Sequence, residues 1–177
     1  MGETVKIVDD CLAPFGKIKL FYKGKNPLAT LESVDELFKP YFRISTSRYN
    51  LELFNWDISG KTYEFFEKWW MKKELSGYTM MELRYNFQGI EDSETHEGSA
   101  NIEITAHLYN DFPQNWMARG FWWLYQYLFY DKVRRQYIQK CRELTEGFRE
   151  ILKAKFGLVT TPSKLPEQYE FAAEEDD

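Results

Sequence analysis

Two segments in which apolar and polar residues alternate constrain this chain more than any other feature. Residues 79–87 and 102–108 place a hydrophobic side chain at every second position. That period predicts two β-strands, each with one buried and one polar face. The acidic residues 90–98 connect them. We therefore expect a long antiparallel hairpin, with a loop that is too long and polar for a tight turn and is mobile.

The chain before this hairpin predicts a further strand and a helix. Residues 17–23 alternate as a strand does. Asn26 suits an N-cap, and Pro27 suits the first position of a helix. Because proline disfavours the helical conformation in the residue before it, Pro40 should end this helix near Lys39.

Residues 41–56 predict strand, but their apolar positions change parity near residues 45–47. A period of two cannot change face without a bulge or a turn, so we predict one there, or two short strands in place of one. The aromatic doublets that follow recur at helical spacing. They predict a second helix from Ser59 or Thr62 to Leu75.

The last predicted helix runs from Arg119 or Phe121 to Phe156, with apolar residues three or four apart and no proline. At about 1.5 Å per residue it would be longer than a compact domain of this size, so it either breaks near Tyr130–Asp131 or projects. Gly157 should cap it. Residues 158–177 are acidic and predict a largely unstructured tail.

Together these elements predict an α+β fold. We expect a curved antiparallel sheet of four to five strands packed against helices, with a long C-terminal helix and an acidic tail. Residues 1–157 should form a single domain.

The hairpin Thr79–Phe112 and the helix after it resemble the helix-grip (START-like) proteins. In that family a C-terminal helix closes a cavity over a curved sheet, so the resemblance implies a cavity in that place. Residues 56–60 and 121–125 are similar to segments of uncharacterised archaeal proteins of similar length.

Charge separates one cationic segment from an acidic chain. The net charge is −5, yet residues 116–156 hold nine basic and four acidic side chains, and residues 157–177 hold one basic and six acidic. Phosphate contacts need clustered Lys and Arg, so an acidic chain is a poor general nucleic-acid binder. The cationic helix leaves a local contact with nucleic acid or a ribonucleoprotein open, and the acidic tail could instead fold back on it.

The cysteine content excludes a disulfide-dense scaffold and a cysteine-built zinc site, because Cys11 and Cys141 are the only two. No signal peptide is visible, and the most apolar stretch, residues 121–130, is too short to span a bilayer. We predict a cytoplasmic protein without a transmembrane span. Its thiols should be reduced, with Cys141 acting as a small buried hydrophobe.

Two polar sets are the candidates for chemistry. The predicted polar face of the hairpin holds Glu82, Arg84, Glu103 and His107. The predicted loop holds Asp92, Glu94, His96 and Glu97. A histidine beside a carboxylate can move protons, but a solvated sheet face with cross-strand ion pairs is the default explanation of the first set. The second set could bind a divalent metal through carboxylate and imidazole groups, but it lacks EF-hand spacing, and a solvated acidic loop explains it. With no triad, phosphate loop or dinucleotide motif, we predict a non-enzymatic protein with no catalytic residues, metal or cofactor.

The first functional hypothesis is a binding or assembly module. A run of aromatic residues precedes the basic stretch, and its rings would point to every side of a helix. A second helix could cover them, or a protein partner, including a second copy in a homodimer, since Trp, Tyr and Arg are enriched at interfaces. A ring beside paired arginines could also stack on a base. The predicted partner-binding residues are Trp122, Trp123, Tyr125, Tyr127, Tyr130, Arg134, Arg135 and Arg142.

The alternative hypothesis is a carrier of a hydrophobic small molecule or lipid. Its cavity would lie between the sheet and the last helix. The predicted lining is Met81, Leu83, Tyr85, Phe87, Ile102, Ile104, Leu108, Tyr137 and Cys141.

Overall fold

The computed structural model describes residues 4–113 and 131–161. In chain order the elements are β1 (Thr4–Asp10), β2 (Ile18–Lys25), α1 (Pro27–Phe42), a 3₁₀ turn (Thr46–Arg48), β3 (Tyr49–Asp57), β4 (Thr62–Ser76), β5 (Thr79–Asp92), β6 (Glu97–Pro113), α2 (Asp131–Phe156) and β7 (Val159–Thr161). The predicted α+β class and antiparallel sheet are confirmed.

The seven strands form one open sheet, in which every pairing is antiparallel. The order is β3-β4-β5-β6-β2-β7, and β1 also pairs with β6. One edge of β6 pairs with β5, while β2 and β1 share its other edge, one after the other. The sheet is therefore larger than the four to five strands predicted.

The core lies between one face of this sheet and the two helices. Alternate residues of β5 and β6 are buried, as the hairpin pattern predicted. Above them Phe38 of α1 meets Phe148 of α2 with ring centroids 4.6 Å apart, and Phe38 meets Tyr85 of β5 at 5.8 Å. A ring of α1 thus packs directly on the central strands. The apolar stripe of α2 faces the same core, since Cys141, Phe148 and Leu152 are fully buried.

The predicted second helix is wrong, because residues 62–76 form β4. Its buried residues fall on odd positions, Phe65, Glu67 and Met71, which is the period of a strand. Phe65 lies opposite Gly89 of β5 and leaves no room there for a side chain, since an added Cβ would lie 2.5 Å from its ring. The aromatic doublets place one ring on each face of the sheet, as aromatic residues commonly do in strands.

The first helix continues past the predicted end. Pro40 lies inside α1, which ends at Phe42 with Arg43 in the left-handed conformation. Proline in a helix costs about 3 kcal/mol, chiefly through a lost hydrogen bond and a ring clash. Phe42 is completely buried and Tyr41 packs on the core, and burying side chains of this size offsets that cost.

The hairpin connection is shorter than predicted. The strands extend to Asp92 and resume at Glu97, so four residues make the turn. Asp92 holds this turn, because its Oδ1 accepts hydrogen bonds from Thr95 N at 2.8 Å and Glu94 N at 3.0 Å. The connection is therefore a four-residue turn held by hydrogen bonds to Asp92, and not the long loop expected from composition.

Only the second part of the predicted strand 41–56 forms, as β3. Residues 41–42 belong to α1, and residues 46–48 form the 3₁₀ turn, near the predicted change of face. A single strand follows it, and not two. A second change of face lies within β3: Leu51 pairs with Trp69, but Leu53 pairs with Lys68, so Glu52 forms a bulge. Beyond this bulge the strand presents opposite residues to the core side.

The two cysteines form a disulfide, which corrects the prediction of reduced thiols. Cys11 and Cys141 are fully buried and lie 130 residues apart in the chain. The bond joins α2 to the loop between β1 and β2. Sequence spacing gives no sign of this pairing, because it depends on where α2 crosses the sheet.

Two predicted segments lie wholly or largely outside the described residues. The aromatic run 121–130, with the predicted break near Tyr130–Asp131, is one of them. Residues 162–177 of the predicted tail are the other, while its residues Val159–Thr161 pair with β2. Gly157 caps α2 as predicted, with φ of 64° and a hydrogen bond from its N–H to Lys153 O at 2.9 Å.

Candidate functional site

Two of the three predicted basic partner-binding residues hold the protein itself together. The Arg134 guanidinium forms an ion pair with Asp9, with Nε donating to Oδ2 at 2.9 Å. Arg142 donates to the carbonyls of Cys11 and Ala13 at 3.1 and 2.9 Å. Both fasten α2 to the segment around the disulfide. Arg135 is exposed on the outer side of α2.

The predicted aromatic partner-binding residues all belong to the segment 121–130. Trp122, Trp123, Tyr125, Tyr127 and Tyr130 lie outside the described residues. Their role in binding stays a prediction.

The polar face of the hairpin separates into two ion-pair groups. Glu82 is 6% exposed and lies between Arg84, whose Nε donates to it at 2.9 Å, and Lys72 at 3.5 Å. The hydrogen bond to Glu82 raises the pKa of the Arg84 guanidinium. His107 lies opposite Glu82 in the strand register.

Glu103 belongs to a different part of this face. It pairs with Lys17 at 3.1 Å and Lys19 at 3.6 Å, both near the start of β2. In the register it lies opposite Asn86. The candidates for proton transfer are thus brought together only in part, around Glu82.

The carboxylates of the hairpin turn are occupied by local bonds. Asp92 binds the turn, and His96 Nδ1 lies 2.8 Å from Glu91 Oε1. The second oxygen of the buried Glu91 accepts the Leu28 N–H, at the first turn of α1, at 3.4 Å. Among residues 4–113 and 131–161, no three His, Cys, Asp or Glu side chains are grouped as metal ligands.

The predicted cavity residues lie in the packed core. Tyr137 is partly buried, and the others are at most 1% exposed. Tyr85, for example, contacts Phe38 as described above, and Phe87 stacks on Phe65 with centroids 5.4 Å apart. Phe38 covers Tyr85, while Phe65 packs beside Phe87 within the sheet. The carrier hypothesis stays a prediction.

Among residues 4–113 and 131–161, the largest concentration of exposed apolar side chains lies at the β3 edge of the sheet. Leu53, Phe54, Trp56 and Ile58 are 50%, 47%, 45% and 59% exposed. We call these four residues the β3 edge patch. The rings of Phe54 and Trp56 contact each other edge to face, with their centroids 6.1 Å apart. The other large exposed apolar residues are spread over separate elements.

The bulge at Glu52 sets the face of the sheet to which each side chain of this patch points. Trp56 lies opposite the buried Phe65, so Phe54 and Trp56 point to the core side of the sheet. Leu53 points to the outer side, opposite Lys68. Among the described residues no strand pairs with the other edge of β3. In this part of the chain the backbone edge and both faces of β3 are therefore uncovered.

The sequence pattern did not predict this patch. It predicts strand over residues 41–56 with one change of parity, near residues 45–47. A second parity change was present, from Leu51 to Phe54 and Trp56, and it was the available signal. Exposure itself had no signal, because it depends on which strands the helices cover.

No protein-family model matches the chain, and neither does any curated protein. Within the ranges described, no helix is both long and apolar enough to cross a membrane.

Proposed function

We propose that this protein is a non-enzymatic binding module that takes up a protein partner by strand addition at β3. The observation that carries the proposal is the β3 edge patch. It combines a strand edge with four large apolar side chains, each about half exposed. In strand addition, backbone hydrogen bonds supply affinity, and alternate side chains supply specificity.

The surroundings of the patch support this function. Exposed strand edges invite pairing with another chain, and proteins that avoid it place lysine, proline or inward charges there. Residues 53–56 of β3 carry no charge and no proline. The aromatic-then-basic segment 121–142 remains a second proposed contact. Within it, Arg134 and Arg142 bind other groups of the chain, whereas Arg135 is exposed on α2.

The experiment is native mass spectrometry and light scattering of the protein purified gently from its own cells. A dimer or a defined complex is expected for the wild type. Phe54→Lys should abolish it, because a charge would then lie among the rings. Ile90→Lys is the matched control, since Ile90 is also 47% exposed but lies on an interior strand.

Two outcomes would contradict the proposal. A complex that survives Phe54→Lys would place binding elsewhere on the molecule. A wild-type monomer that carries a discrete extra mass would favour the carrier of a hydrophobic ligand instead.

A further inference from the structure

The free edge of β3 has one regular segment. From Leu53 to Asp57 the register with β4 advances residue by residue, opposite Lys68 to Glu64. The bulge at Glu52 interrupts it on one side, and Asp57 ends the strand on the other. Asn55 is the middle of this five-residue segment.

We propose that the partner at this edge is a second copy of the chain, with the two β3 strands antiparallel and Asn55 on the two-fold axis. This inference rests on the proposed function and names its partner. An antiparallel pairing of two identical edges is closed by its own symmetry, so it yields a dimer and not a fibre.

Side-chain chemistry favours this register. It overlaps the whole regular segment. It also places Phe54 of each copy opposite Trp56 of the other, which gives two equivalent aromatic pairs. Aromatic cross-strand pairs stabilise antiparallel sheets, whereas like charges directly opposite each other destabilise them. Leu53 lies opposite the partner's Asp57, and no two carboxylates face each other.

The symmetry also keeps the rings together. A two-fold axis perpendicular to the sheet leaves each side chain on its own face. The Phe54–Trp56 pair of each copy, already in contact at 6.1 Å, therefore joins the other pair on the core side. Four rings would cover one another there.

The exposed area sets the expected strength. An aromatic side chain carries about 150–250 Å², so Phe54 and Trp56 each have roughly 70–115 Å² left to bury. Even with Leu53 and Ile58 added, each copy buries well under the roughly 800 Å² of a standard interface. We therefore expect a weak dimer whose population rises with protein concentration.

The test is a single new cysteine on the axis. In Asn55→Cys the two thiols would face each other at about 4.5–5.5 Å between Cα atoms, within disulfide range. Cys11 and Cys141 are bonded and buried, so they leave the new thiol without a competitor in the described structure.

Asn50→Cys is the matched control. Asn50 is also an exposed asparagine of β3 and points to the same outer face, opposite Trp70, as Asn55 does opposite Phe66. Because of the bulge, Asn50 lies four strand positions from Asn55 in the register with β4, so in the proposed dimer the two copies of residue 50 are eight positions apart, about 27 Å. We expect Asn55→Cys to form a covalent dimer at least about tenfold faster than Asn50→Cys, because the partner thiol is held at high effective concentration.

The outcomes separate this inference from the proposed function. Equal and slow crosslinking of both variants would overturn the self-pairing. If Phe54→Lys still abolished a complex with a different protein, the strand-addition function would stand with another partner. If Phe54→Lys changed no complex at all, both would fail. Peptide mapping of the covalent dimer would show the 55–55 bond and an intact Cys11–Cys141 bond.

Discussion

Two aromatic pairs on the same face of one sheet differ in burial: one is covered and the other is half exposed. Tyr85 and Phe87 of β5 lie 6.4 Å apart and are 1% and 0% exposed. Phe54 and Trp56 of β3 lie 6.1 Å apart and are 47% and 45% exposed. Spacing and chemistry are alike, so the helices above β5 make the difference. Alternation tells which face a side chain takes, while the layer above decides whether it is core or binding surface.

The largest expected effect comes from removing the disulfide that holds α2 over the sheet. The Cys11–Cys141 bond closes a loop of 130 residues, and in the chain-entropy model such a bond contributes about 5 kcal/mol. Replacing both cysteines by alanine should lower the free energy of unfolding in urea by several kcal/mol. Equal stability of the variant and the oxidised wild type would contradict this.

Truncating one ring in each pair tests the comparison directly. Phe87→Ala should lower the free energy of unfolding by about 3–5 kcal/mol, because it leaves a cavity in a filled core. Phe54→Ala should cost well under 1 kcal/mol in the monomer, as exposed positions usually do. Both values should be measured by urea titration at a concentration where the protein is monomeric. Similar costs for the two variants would mean that β3 is covered.

A smaller effect is expected where the two helices touch. An added Cβ at Gly147 of α2 would lie 2.3 Å from the Tyr41 hydroxyl of α1, which donates to Leu144 O at 3.0 Å. This contact within the chain accounts for a glycine inside a helix. Gly147→Ala should destabilise the wild type by about 1–2 kcal/mol, through overpacking and a displaced hydrogen bond.

A double-mutant cycle checks that cause. In a Tyr41→Phe background the hydroxyl is gone and the ring carbon lies at 3.5 Å, an ordinary contact. There Gly147→Ala should be neutral or stabilising by up to about 1 kcal/mol, from better helix propensity. The same loss in both backgrounds would show that the hydroxyl is not the obstacle.

The smallest effects concern the residues that end the two strands. Hydrogen bonds from Thr95 N and Glu94 N lower the pKa of Asp92, the last residue of β5. Hydrogen bonds from the Ser59 hydroxyl and N–H likewise lower the pKa of Asp57, the last residue of β3. A lowered folded-state pKa stabilises the protein above the unfolded value, and this contribution disappears as pH falls through the folded value.

Both strands should therefore weaken together in acid. NMR titration should give both carboxyl groups pKa values below about 3.9, the ordinary value of aspartate. Asp92→Asn and Asp57→Asn should each reduce the acid dependence of stability slightly and equally, since both turns are exposed. A normal pKa for either carboxyl group would show that its turn does not contribute to the acid dependence of stability.

Local patterns predicted much of the fold. The β5–β6 hairpin, β2, the start of α1 at Pro27 and the buried stripe of α2 all follow from period, capping and punctuation. Residues 62–76 show the limit, because their paired rings satisfy a helix and a strand equally. Pairing with β3 on one edge and β5 on the other resolved that ambiguity.

The candidate site was less predictable than the fold. Arg134 and Arg142 belong to a basic helix in sequence, but Asp9 and the carbonyls of Cys11 and Ala13 come from the far end of the chain to bind them. The β3 edge patch was overlooked because Glu52 adds one residue and reverses the faces. The contacts of the two arginines leave no local trace, and the bulge leaves only the parity change from Leu51 to Phe54 and Trp56.

By itself, the sequence determined which residues alternate, where the hairpin lies and which stripe of the last helix is apolar, because these depend on neighbours a few positions away. Only the tertiary structure decided that Cys11 meets Cys141, that Gly147 makes room for Tyr41, and that Phe54 and Trp56 stay exposed while Tyr85 and Phe87 are buried. These outcomes depend on contacts between distant segments. The free energy of such contacts is set by which surfaces the helices cover, and no window of sequence contains that information.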